Sequence, residues 1–461
     1  MTSSIRGDYS IPEKEQWTTV DLMSQDSAQE EWLSKTLDYA ASINAFVEEG
    51  LRDGWDNVGE EPSDPGREHL AEAVISAVRQ ANIDGELARL RELWPPAHSP
   101  LISLLKENGQ SIPVVCVLPD NSIVARIGAP YKPGRTVHIV GNTVTEVANV
   151  GFFGRSPNRK YFAIAQADGI QIIDGWNGPQ VSLCPWPTGL EGIPSRFDIN
   201  PLDSPPIPTR LIPFPDGKRV LLVSGDGIFV LSEQKAVRLL PTKDEMNEHF
   251  EWLEKEYPND ALSVSLSMEH GAISDDGKFI AVGSQDSTHL VFDDQLVCVG
   301  DIGNQIDYPH YALFSSDNRT VAFNSCHFYN GVTIGVPTEL LPGLTTEPYK
   351  GDGRIIVVDD GARVYAGTSR SDELIIGDAD GYIRSVSTSG EPLWQLFIGS
   401  SIGDIDISAD GKTLVVSTYA GFLSIIRLDA GEQMPYQIGN SKHMETRRWI
   451  FWKNEPNPLI W

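Results

Sequence analysis

Cysteine is scarce in this chain. The four residues present, Cys116, Cys184, Cys298 and Cys326, are far apart and form no C-x-x-C pair. A disulfide-stapled scaffold is thereby excluded, and the pattern fits reduced thiols in a cytoplasmic protein. No apolar run approaches the length of about 18 residues that a membrane span needs. The opening MTSSIRGDYSIPEKEQ has no apolar stretch of the kind a secretory leader carries, so the expected compartment is the cytoplasm. Positive charge is also short, with 36 Lys and Arg against 64 Asp and Glu and a formal net charge of −28. Such a surface repels phosphate backbones, which sets nucleic acid aside as a partner. It keeps the chain soluble and can steer a basic protein or a cation towards it. Local signatures of catalysis are missing too: no G-x-x-x-x-G-K-[ST] loop, no H-E-x-x-H helix and no G-x-G-x-x-G turn. No cofactor is expected, and an enzyme is the less favoured reading.

Glycine and proline, by contrast, are plentiful at 41 and 31 residues, a composition that favours many turns and an all-β body. Residues 1–105 differ from the rest. Between Gln29 and Arg52, Trp32, Leu33, Leu37, Ala40, Ala41, Ile43, Ala45 and Phe46 fall mainly at helical spacing. A second helical stretch runs from Pro65 to Leu93, interrupted at Gly85 and ended by Pro95-Pro96. The prediction is an α-helical N-terminal extension of two or three helices.

From about Ser111 the period changes from 3.6 to 2, and short strands alternate with Asp-Gly, Asn-Gly and Pro-Asp turns. Stacking these runs reveals copies of one unit. AISDDGKFIAVGSQDSTHLVFDD at 272–294 matches IDISADGKTLVVSTYAGFLSIIRLD at 405–429. The stretches at 152–174, 211–232 and 313–336 follow the same plan, with weaker copies at 114–130 and 363–387. Each holds a strand, a tight turn, a second strand, a polar loop and a third strand. A variable fourth strand follows, such as QLVCVGD at 295–301. Four-stranded antiparallel units repeated about every 40 residues are the signature of propeller blades, which close into a ring because one blade cannot bury both faces. Seven copies predict a seven-bladed β-propeller over 106–440.

The repeats resemble those of the WD-repeat and YVTN-type propeller superfamily. The S-x-D-G-K-x-hydrophobic core carries the resemblance, whereas the Gly-His and Trp-Asp dipeptides of true WD repeats are absent from nearly every blade. The resemblance implies a scaffold for protein contacts, although some relatives are enzymes.

Two insertions break the period: a Pro-rich segment at 184–208, and an acidic helix at 241–258 with Met246, Phe250 and Leu253 on one side. The tail at 441–461 carries Trp449, Phe451, Trp452 and Trp461 and is expected to pack on the body.

In related propellers the start of each first strand and the loop between the second and third strands share one face. Residues there that form the candidate partner-binding face are His270, Asp286, His289, His310, Cys326, His327, Phe328, Tyr329, Asp404 and Tyr419. His270 and His310 read as matching repeat positions. The segment NSCHFYNG at 324–331 stands out, because exposed aromatics serve as interface anchors. The favoured expectation is a non-enzymatic protein-interaction platform of scaffold, regulatory or immunity type, whose partner is another, possibly basic, protein. The alternative is a metal-dependent propeller hydrolase or lyase with a His/Asp site on that face.

Overall fold

The computed structural model describes residues 25–461. Seven antiparallel sheets follow one another along the chain as blades 1 to 7, at 114–147, 153–184, 208–240, 270–302, 308–360, 364–397 and 402–450. In each, four strands pair in sequence order, the first lining a central channel. The expected seven-bladed β-propeller of four-stranded antiparallel blades is therefore present, with helices ahead of it. The last blade takes Met444–Ile450 as its fourth strand, paired with Phe422–Arg427, so the ring runs past residue 440.

A recurrent hydrogen-bond device shapes the turn between first and second strands. In blades 4, 5 and 7 a serine hydroxyl (Ser274, Ser315, Ser408) donates to an aspartate two residues on, at 2.8, 2.7 and 2.6 Å. The same hydroxyl accepts the backbone N–H five residues on, at 2.9–3.0 Å. Blade 2 uses Ser156 and Asn158 in the same way. This closes the turn locally and accounts for the repeated S-x-D-G-K pattern. Between the blades, apolar side chains from facing sheets interlock, as Leu221 and Val223 do with Ile280 and Val282.

No sheet among the described residues mixes strands from the two ends of the propeller. Contacts across the seam close blades 7 and 1 instead. Val115, Ile123 and Ala125 share a buried apolar core with Val415, Leu423 and Trp449. The Ile112 amide donates to the Thr418 carbonyl at 3.1 Å, and two aspartates add side-chain bonds. Asp404 accepts the Val115 amide at 2.9 Å, and Asp406 accepts the Val117 amide at 2.6 Å. The other oxygen of Asp406 takes Arg155 Nη2 at 2.7 Å and Arg159 Nη2 at 3.1 Å from blade 2. The other oxygen of Asp404 takes Arg210 Nη1 of blade 3 at 3.2 Å. Two adjacent inward-facing carboxylates thus tie four blades together.

Outside the ring, the helices Gln25–Asp53 and Ala71–Asp84 pack against blade 7 and the C-terminal segment. Gly85 ends the second helix in the left-handed region, with φ 75°. Trp32, Val74 and Val78 form one buried cluster with Phe422, Ile450, Trp452 and Trp461. Trp461 Nε1 donates to the Trp94 carbonyl at 2.6 Å, and Trp32 Nε1 to that of Pro95 at 2.9 Å. Each such ring contributes about 2–3 kcal/mol on burial. Beneath them, burial alone would raise the Glu445 carboxyl, but Arg448 and Arg91 outweigh it and bring it down to about 2.

The insertions at 184–208 and 241–258 meet each other. The helix Lys243–Glu256 starts with a capping box between Thr242 and Glu245, and its Met246 and Phe250 pack on Phe197. A further insertion, not marked in the repeats, lies between the last two strands of blade 5. Its Leu344–Thr345 adds a short parallel strand to blade 4.

If the aspartate clamp closes the ring, Asp406→Ala leaves Arg155 buried without its carboxylate. A loss of about 3–5 kcal/mol is expected in urea unfolding. Asp352→Ala, at an exposed pair with Arg354, should leave the midpoint unchanged. A loss at Asp406 below about 1 kcal/mol would assign closure to apolar packing instead.

Candidate functional site

The channel encloses a cavity of about 630 Å³ that runs through the ring and is lined by all seven first strands. Its upper end is the face holding the second-to-third strand loops and the connections between blades, and both large insertions enter from that side. Its lower end carries the Ser-Asp turns.

Alignment on the turn serine explains what faces the cavity. Arg210, His270, Tyr311 and Asp404 each precede the turn position by four residues, and all four line the channel. Asp406, two residues before its serine, stands where the other copies carry Cys116, Gly154, Ile212, Ala272 or Leu313. Within this alignment the match for His270 is Tyr311, not His310. The first strand of blade 5 has a register shift between Pro309 and Tyr311, which places His310 in a bulge. From there His310 Nδ1 donates to the Val364 carbonyl at 2.6 Å, and Nε2 accepts Arg363 Nη2 at 3.1 Å.

His270 and His289 form a dry chain. Ser325 Oγ donates to His289 Nε2 at 3.2 Å, and His289 Nδ1 contacts His270 Nε2 at 3.4 Å. His270 Nδ1 donates to the Met268 carbonyl at 3.0 Å. This is the direction of donation that two neutral rings allow. Burial brings His270 down to about 4, against the pull of the Met268 carbonyl, and holds His289 well below its usual value. Burial first, then Arg363 and His270, brings His310 down to about 3. Gly283 makes room for this arrangement, since a Cβ there would meet His270 Nε2 at 2.7 Å.

The other candidates separate. Cys326 is fully buried inside blade 5, and burial raises its thiol. His327, next along the strand, faces out and pairs with Asp307. Asp286 is exposed on a turn outside the channel wall. Asp404 belongs to the ring clamp, where burial raises its carboxyl against the opposing pull of Arg210. Tyr419 lines the channel, with its ring 5.7 Å from that of Tyr365, and burial pushes its hydroxyl up to about 12. Phe328 and Tyr329 are 72% and 67% exposed at the tip of the His327–Asn330 turn.

Metal chemistry was the alternative expectation for this face. Among the described residues no group of three or more His, Cys, Asp or Glu is placed to hold a metal ion. The ring nitrogens of His270, His289 and His310 are taken up by each other, by carbonyls, by Ser325 and by Arg363, so the proposed His/Asp site does not assemble.

Several channel residues escape the candidate set: Tyr131, Glu269, Tyr311 and Tyr365 all line the cavity. Repeat alignment alone would have found Tyr311. Glu269 lies one residue ahead of the strand His270–Ile273, and Tyr131 sits in a longer loop that no periodicity locates.

The neutral histidines give a pH prediction. A depressed folded-state pKa makes His270 cost stability as pH falls from about 6.5 to about 4, because the unfolded chain binds the proton first. His270→Gln should be less stable than wild type at pH 7.5. The gap should narrow on acidification, by at most about 3 kcal/mol by pH 4. Urea midpoints measured across that range check this, and a gap independent of pH would contradict it.

No described helix is long and apolar enough to cross a membrane. No protein-family model and no curated protein sequence matches the chain. Among solved structures, the chain is similar to one described as "Crystal Structure of Mitotic Checkpoint Complex". That likeness has a TM-score of 0.44 and 11% identity, and covers 69% of this chain and 87% of the other. Similarity at that level carries no argument about function.

Proposed function

We propose that this chain is a protein-binding platform of the cytoplasm, engaging a basic partner through the upper face of its propeller. The observation that carries the reading is the turn at Phe328 and Tyr329. Phe328 adopts φ 51°, a left-handed conformation that an aromatic residue seldom takes and that costs roughly 1–2 kcal/mol. The turn is also fastened from blade 6. Arg363 Nη1 donates to the Phe328 carbonyl at 2.9 Å, and the Arg363 amide to that of Tyr329 at 3.1 Å. Two large rings are thus held out into water on a braced backbone, Phe328 meeting the part-exposed His327 ring edge to face at 4.5 Å and otherwise facing solvent. Seating each under a partner would yield about 2–3 kcal/mol.

Charge supports the basic partner. The inserted helix on the same face carries Asp244, Glu245, Glu248, Glu251, Glu254 and Glu256 against Lys243 and Lys255. Its Trp252 and Tyr257 are about half exposed and meet edge to face at 5.4 Å. Long-range attraction would raise the encounter rate, and the aromatic anchors would set the lifetime.

Phe328→Gly with Tyr329→Ser tests this reading. The pair should change stability by less than about 1 kcal/mol, because glycine relieves the left-handed strain while loosening the unfolded chain. Proteins retained from a lysate by wild type should be lost on the double variant and released by high salt. Retention of the same set by both proteins would contradict the proposal.

A further inference from the structure

We infer that the upper end of the central channel is a binding site for an organic cation, a primary ammonium or a guanidinium, received by the carboxylate of Glu269. Glu269 is only 9% exposed and lines the cavity, yet its Oε1 has no hydrogen-bond partner. A buried carboxylate oxygen without a partner is costly, and native structures keep few of them. The groups around it do not supply a positive charge. Thr209 offers a hydroxyl, while Asp226 adds a second negative charge on the same side. Each neighbouring arginine is already engaged. Arg238 donates to the carbonyls of Gly189, Glu191 and Asp226, Arg210 pairs with Asp404, and Arg363 holds His310 and Phe328.

The rest of the wall suits an organic cation better than a metal ion. Tyr131, Tyr365 and Tyr419 line the same end of the channel. Tyr365 already carries the Arg363 guanidinium 5.0 Å from its ring centre, the kind of contact a ligand cation would make with Tyr131 or Tyr419. A calcium or magnesium ion would need several oxygen ligands converging at once, and the described residues supply no such group. The cavity, at about 630 Å³, falls within the range of small-ligand sites. The inference does not depend on partner binding at Phe328 and Tyr329, which do not line the channel.

The cation can be a free amine or a side chain carried by a peptide, and calorimetry on the full chain in phosphate buffer separates the two. The probes are putrescine, agmatine and an acetylated tetralysine peptide, with 1,4-butanediol as the uncharged counterpart of putrescine. At least one cationic probe is expected to bind with one site per chain, and butanediol is not. Glu269→Gln should weaken that binding tenfold or more while keeping or raising the thermal midpoint, since it removes a buried unpaired charge. Tyr131→Leu, at a side chain 59% exposed whose loss the fold tolerates, should weaken it several-fold. Binding of the free amines assigns a small-molecule site, and binding of the peptide alone assigns a side chain of a partner. No binding by any cation, equal binding by butanediol, or undiminished binding by both variants would overturn the inference.

Discussion

Two carboxylates, on Asp404 and Asp406, fasten the seam of the ring, over an apolar core that joins Val115 and Ile123 to Val415 and Leu423. Among the described residues blades 1 and 7 share no strand, so the seam between them depends on contacts across it. Each aspartate accepts a backbone amide of blade 1 with one oxygen and an arginine of blade 2 or 3 with the other. A charged acceptor strengthens each of these bonds, and both carboxylates are largely buried in the channel wall. The helices and the C-terminal tryptophans back the seam from outside, where Trp32, Trp452 and Trp461 share one core. Removing either support leaves buried charge or exposed aromatic surface.

A closed ring fixes the electrostatics of its channel. Because the seven first strands are held at constant spacing, the histidines of blade 4 are shut away from water and stay neutral, and their ring nitrogens serve one another. The same enclosure leaves Glu269 as a carboxylate with an unmet oxygen. Among the described residues the candidate site is therefore a tube of mixed polar and apolar lining in which Glu269 keeps an unmet oxygen, with no cluster of metal ligands. At its rim, the Phe328–Tyr329 turn and the acidic helix offer a different surface, apolar anchors beside negative charge. A rigid scaffold with contact groups on its loops suits recognition, since loops vary while the blades do not move.

Much of this fold was legible in the sequence, for a physical reason. The serine turn closes on itself, its hydroxyl donating to the aspartate two residues on and accepting the amide five residues on, so it leaves the same local imprint at Ser274, Ser315 and Ser408. The candidate site was less legible. Loop positions place a residue on a face, but they do not say whether its side chain turns out to solvent, as at Phe328, or into the sheet, as at Cys326 and His289. The bulge at His310 moved that residue out of the register that made it look like the counterpart of His270. Asp406 gave a signal that only alignment on the turn serine exposes, a charge where other copies are apolar or small. Glu269 gave none, because an unpartnered oxygen is a property of the assembled channel.

The most direct test of the clamp is native-state hydrogen exchange at the Val115 and Val117 amides, which donate to Asp404 and Asp406. If these carboxylates close the ring, both amides should exchange only through global unfolding, with the same free energy and denaturant dependence as the central strands of blades 3 and 4. Exchange through a smaller opening, with little denaturant dependence and a lower free energy than those strands, would show that the seam opens on its own. The ring would then be closed by something other than these two aspartates.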